Sequence, residues 1–162
     1  RQDYIVTLNG IGPFKLDMKK SEVEKILNQT IMTPHSSKKD DYDNDTVTLK
    51  YKEANITFVF YKKSIDQTKT EISIYSISGK SPLFKTKSGV ALGDDKLKII
   101  STYNDYNMNI YRAYDKNEKG DFVPSKTKWI ILLMGENNPG TIEFKLDNNK
   151  LIEFTVGIFE GC

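Results

Sequence analysis

The chain has 162 residues, with 24 Lys and Arg against 22 Asp and Glu, one His, one Cys and a formal net charge of +2. That length suits one domain, or two small units sharing an interface, and a chain of this size buries roughly 70% of its unfolded surface. Scattered lysines beside carboxylates argue against a nucleic-acid partner, which needs clustered cations. A lone thiol, Cys162, excludes an intrachain disulfide and a thiolate metal site. No apolar run reaches the roughly 20 residues of a membrane-spanning helix.

Residues 4–8 carry a short apolar alternation, read as a strand or an ordered arm, and run into a turn cluster, Gly10-Ile11-Gly12-Pro13. A first helix is predicted over 20–29. Ser21 is its expected N-cap, Glu24 completes a capping box, and Val23, Ile26 and Leu27 form the apolar stripe. Residues 30–45 are polar and read as a loop holding Pro34, the lone His35 and an acidic run that includes Asp41 and Asp43. Three strands follow at 46–51, 56–61 and 71–77, the last placing Ile72, Ile74 and Ser76 on one face. Ser78 to Pro82 mark a junction. A second helix is predicted over 94–104, capped by Asp94, with Leu97, Ile99, Ile100 and Tyr103 at helical spacing. The pattern then gives a strand at 108–114, a long polar loop at 115–128, and strands at 129–134, 141–146 and 151–158.

Two stretches match. Residues 87–106 carry Val90 and Leu92, then Gly93-Asp94, then a helix; residues 12–27 carry Phe14 and Leu16, then Asp17, then a helix. A shift of 76 positions puts Phe14 on Val90, Leu16 on Leu92, Val23 on Ile99 and Leu27 on Tyr103. The expected fold is therefore α+β: two tandem repeats, 1–80 and 81–162, packed as one unit, each a helix followed by an antiparallel meander of three to four strands.

A Gly-x-x-Leu-Gly cassette opening a helix and feeding a meander, at 89–93 and with Asp17 in place of the second Gly in the first copy, resembles tandem β-lactamase-inhibitor-protein-like domains. Small outer-membrane assembly lipoproteins of bacteria share a single-copy version. The resemblance implies a non-enzymatic bacterial protein of the periplasm, the outer membrane or the exterior that binds another protein. An inhibitor or immunity-type protein that blocks a toxin or hydrolase is the first expectation; a structural envelope lipoprotein is the alternative. The start at Arg1 rather than Met fits export, and a lipid anchor upstream of Arg1 is compatible with it.

The residues offer little enzymatic machinery. His35 is the only imidazole, and no Gly-x-Ser-x-Gly elbow or phosphate-binding loop occurs. A hydrolase built on paired carboxylates is the remaining enzymatic alternative, since such pairs have no fixed spacing. No cofactor is expected. Asp41, Asp43 and Asp45, and then Asp115, Asn117 and Gly120, imitate the start of calcium loops. Both lack the closing Glu, with Lys52 and Lys126 in its place, so both read as solvated loops. The binding signal is aromatic. Tyr103, Tyr106, Tyr111 and Tyr114 alternate with Asn104, Asp105, Asn107, Asn109 and Arg112, a composition that interfaces favour. The competing reading packs these rings half-buried on a sheet with their hydroxyls outward. The expected partner contacts are Tyr106, Tyr111, Arg112 and Tyr114, with Asp41 and Asp43 steering a basic partner.

Overall fold

The computed structural model describes residues 2–33 and 44–159. After a short 3-10 turn at Gln2–Tyr4, the chain forms β1 (Ile5–Thr7), β2 (Gly10–Ile11), β3 (Phe14–Lys15) and helix α1 (Lys20–Leu27). Next come β4 (Asp45–Tyr51), β5 (Ala54–Ser64), β6 (Thr70–Gly79), β7 (Lys85–Thr86) and helix α2 (Lys96–Thr102). The chain ends in four strands: β8 (Asn107–Lys116), β9 (Phe122–Met134), β10 (Gly140–Asp147) and β11 (Lys150–Ile158). They form a small sheet in the order β3-β2-β1-β7 and a seven-stranded sheet in the order β4-β5-β6-β11-β10-β9-β8.

This overturns the expected pair of helix-plus-meander α+β repeats. Among the described residues strands make up 53% and helix 12%, in two sheets with two α-helices. The physical reason lies in helix length. α1 has eight residues and α2 seven, and each contributes one fully buried side chain, Val23 and Ile99. Two turns of helix cannot cover a seven-stranded sheet, so Tyr4, Val6, Ile11, Phe14 and Phe84, from the small sheet and its flanks, join the core. The two strand runs are one sheet because β6 pairs with β11, Ile77 opposite Val156.

Alternation assigns the faces. Met108, Leu133, Ile142, Val156, Ile77, Phe58 and Val47 lie opposite one another across all seven strands and face the core. Ile110, Ile131, Phe144, Phe154 and Gly79 form the next row. Gly79 is bare because the Phe84 ring fills its slot; a Cβ there would lie 1.7 Å from the ring. The opposite face carries Asn109, Leu132, Glu143, Thr155, Ser78, Thr57 and Thr48.

Several local expectations change. A bulge between Val59 and Phe60 leaves Tyr75 as an extra residue in β6. It switches the buried parity from Ile74 to Ile77, so Ser76 does not share the Ile72–Ile74 face. Ser21 is not the N-cap of α1. Lys19 occupies that position without a side-chain bond, and the Glu24 carboxylate instead accepts from the Ile31 N–H at 2.8 Å. The N-cap of α2 is Asp95, whose carboxylate accepts from the Lys98 N–H, while Asp94 accepts from the Ala91 N–H one turn earlier.

The helix entrances are pinned alike. Asp17 and Gly93, which the two cassettes align, both take left-handed backbone, φ 68 and 92. The Asp17 N–H donates to the Ile74 carbonyl on β6, and the Gly93 N–H donates to the Leu151 carbonyl on β11. Glycine adopts this conformation freely; an aspartate does so at a cost. Asp17 has compensating partners on β5: the Tyr61 hydroxyl donates to its Oδ1 at 2.7 Å and the Lys63 ammonium pairs with its Oδ2.

These contacts carry a pH signature. The Lys63 hydrogen bond holds the Asp17 carboxyl below its ordinary range. Burial first, then the Asp17 carboxylate, pushes the Tyr61 phenol up to about 12. A phenol whose folded pKa exceeds its unfolded value of about 10 stabilises the fold below pH 10 and loses that contribution as pH rises toward 12. The Tyr61→Phe variant is therefore expected to lose less stability between pH 10 and 12 than the wild type in parallel urea titrations. Superimposable alkaline profiles would show that Tyr61 titrates as an ordinary surface tyrosine.

Candidate protein-binding surface

β8 is an edge strand: it pairs with β9 and lies at the end of the seven-strand order. Its Tyr, Ile and Arg side chains suit a pleated ribbon, and turn residues Asn117 and Gly120 let it double back into β9. The Asn117 side-chain oxygen accepts from the N–H groups of Lys119 and Asp121 at 3.0 and 2.9 Å, and Gly120 takes φ 84. Asn117 is thus committed to the turn. Residues 115–128, expected as a long polar loop, are mostly strand around a tight turn at 117–121. The local sequence hid this because Lys, Asp and Pro interrupt the apolar alternation on an exposed ribbon.

The hairpin has a pivot. Arg112 lies opposite Trp129, but Tyr114 lies opposite Pro124, so residues 125–128 bulge out of β9 against Ala113. Ser125 holds the bulge: it is buried, and its Oγ accepts from the Thr127 and Lys128 N–H groups at 3.3 and 3.0 Å. The Ser125 hydroxyl is the main influence holding the Asp115 carboxyl below its usual range, and Lys128, 3.4 Å away, adds to it. Beyond this pivot residues 116–124 are all exposed. Tyr114 and Phe122 share one face of the ribbon, and Val123 with Asp115 lies on the other.

The expected contact residues are distributed unevenly over this surface. Tyr106 precedes β8 and meets the buried Tyr103 ring edge-on at 5.6 Å. Tyr111 stands on the outer face, in a row with Ile130, Lys145 and Glu153. Burial and then the Glu143 carboxylate raise its phenol pKa. Arg112 points to the other face, where its guanidinium lies 5.2 Å from the centre of the Trp129 ring. Tyr114 is 64% exposed. Asp41 and Asp43, like His35 and Cys162, lie outside the described residues.

Phe122 and Val123 were missed by sequence reasoning because they fell inside the expected loop; an aromatic followed by a β-branched residue just after Asn117 and Gly120 is the signal that marks them. Glu143 is a half-buried carboxyl on the outer face of the sheet. Burial raises its pKa first and the nearby Glu153 second. Comparison of the chain with protein-family models, with curated proteins and with solved structures finds no match.

Proposed function

We propose that this is an exported, non-enzymatic protein that binds another protein and blocks it, with the β8 edge and the β8–β9 hairpin as its contact surface. One observation carries the reading. Of the twelve exposed large apolar side chains among the described residues, six lie between 106 and 123: Tyr106, Ile110, Tyr111, Tyr114, Phe122 and Val123. Apolar exposure concentrated on one edge hairpin, on both of its faces, marks an interaction site, and an edge strand also offers free backbone donors and acceptors. Blocking would be steric: the ribbon covers a target site and buries about 1,200–2,000 Å² in total.

The test is affinity capture from an envelope and secreted extract, followed by assay of the captured protein's activity. Tyr114→Ala and Phe122→Ala are each expected to weaken the complex by about tenfold or more, as truncated interface anchors do. Inhibition of the captured protein, lost in both variants, supports the reading. Capture of envelope assembly components with no inhibited activity would favour the structural lipoprotein instead, and unchanged affinity in both variants would remove the hairpin from the interface.

A further inference from the structure

At the base of the same hairpin, but on the core-side face, two cations lie against the chain's only tryptophan and a third lines the groove beside it. The Lys96 ammonium lies 3.9 Å from the centre of the Trp129 ring, and the Arg112 guanidinium lies 5.2 Å from it. Lys96 and Lys126 line a groove of about 460 Å³ over Trp129, with Thr127, Asn148 and Asn149 on its walls. A groove of this size accommodates a small polar ligand.

Beyond the indole ring, these cations have no carboxylate partner among the described residues. Among the described residues Lys98 pairs with Asp94 and Lys128 with Asp115, but Lys96, Lys126 and Arg112 form no ion pair. No carboxylate lines the groove. Asp94 and Asp95 line the adjoining hollow and are engaged by the Ala91 and Lys98 N–H groups, and Asp147, between the groove residues Leu146 and Asn148, pairs in register with Lys128. The Asn149 side-chain oxygen is engaged as well, accepting from the Lys96 N–H at 3.2 Å, which ties the hairpin turn of β10 and β11 to the start of α2.

Like charges gathered around one ring repel, and a multiply charged anion relieves the repulsion at each of them. Lysine ammonium groups serve as point charges for phosphate and sulfate oxygens. The indole supplies a flat apolar flank, and the threonine hydroxyl and asparagine amides suit neighbouring hydroxyl groups. We propose that the Lys96–Lys126–Trp129 groove binds the phosphate or sulfate monoester group of a small polyhydroxylated molecule. The site is independent of the hairpin's protein-binding role.

Because Trp129 is the only tryptophan, its emission reports on the groove directly. The full chain is titrated with glucose 6-phosphate and, separately, with glucose 6-sulfate at fixed ionic strength; glucose and sodium chloride serve as controls. A saturable change is expected with at least one ester, half-complete near or below about 1 mM. Lys96→Gln and Lys126→Gln are each expected to shift that midpoint upward about tenfold, the loss of one charge-assisted contact. The Trp129 indole N–H resonance gives a second readout in Lys96→Gln, where the emission baseline itself changes, and circular dichroism checks the fold of both variants. Saturation by one ester alone identifies its source as phosphate or sulfate. A non-saturating response to both esters, a response to glucose of equal strength, or midpoints unchanged in both variants would overturn the proposal.

Discussion

Phe144→Ala is expected to lower the unfolding free energy by about 3–5 kcal/mol, the range seen when a large aromatic is removed from a packed core. Phe144 is fully buried on β10, the third strand in from the β8 edge of the seven-stranded sheet. It lies between Ile131 on β9 and Phe154 on β11, and its ring meets Phe154 at 5.7 Å and Tyr103 at 5.8 Å. Truncation removes apolar area and leaves a cavity walled by strands fixed through hydrogen bonds on both sides, so collapse around it is limited. A total stability of about 5–15 kcal/mol leaves little margin for such a loss. Urea unfolding followed by circular dichroism measures it, and Phe144→Leu, which keeps most of the volume, is expected to cost clearly less. A loss below about 1 kcal/mol for Phe144→Ala would mean that the row of Ile110, Ile131, Phe144 and Phe154 is loosely packed.

Gly140→Ala is the second large effect, and it acts by collision. A Cβ at Gly140 would lie 1.8 Å from the Leu8 carbonyl oxygen and 2.9 Å from the Leu8 carbonyl carbon. Both are backbone atoms in the turn between β1 and β2, so no side-chain rotation relieves the clash. Either the small sheet shifts away from β10 or β10 loses its first pairing, and the expected cost is about 2–3 kcal/mol, toward the upper end for an added methyl. The damage should be local before it is global: amides of Val6, Gly10 and Ile11 should lose exchange protection ahead of those in β10 and β11. Gly157→Ala is the control. There a Cβ meets only the Ser76 Cβ, at an ordinary 3.6 Å, so near-neutral stability is expected. Equal tolerance of both substitutions would mean that the close approach of Leu8 to Gly140 does not hold the two sheets together.

The strand positions were the most legible part of this chain. Runs such as 46–51 and 141–146 alternate apolar with polar residues, and that pattern survives because one face is buried and the other is not, while 56–61 is marked by aromatic and β-branched residues. The turn between the strands expected at 141–146 and 151–158 has a local cause as well: Asn148 and Asn149 both take left-handed backbone, φ 50 and 61, which asparagine tolerates. The tyrosines of 103–114 could be singled out by composition, but composition cannot say which face each one takes. Tyr103 went into the core, Tyr111 to the outer face, and Arg112 to the opposite face against Trp129. The hairpin beyond Ser125 was hidden because an exposed ribbon has no buried face to impose alternation.

By itself, then, the sequence determined most of the long strands, several of their turns, and that two segments enter their helices alike, because these depend on neighbours within a few positions. The tertiary structure decided that the two helices are minor and that the two strand runs form a single sheet through β6 and β11. It also decided that a bulge at Tyr75 redirects the core face and that Lys96 comes to rest on Trp129. Each of these depends on contacts between residues distant in the chain, such as Ile77 with Val156 or Lys96 with Trp129. Their energies come from both partners together, by joint burial for Ile77 with Val156 and by charge against ring for Lys96 with Trp129, which no local pattern in either segment encodes.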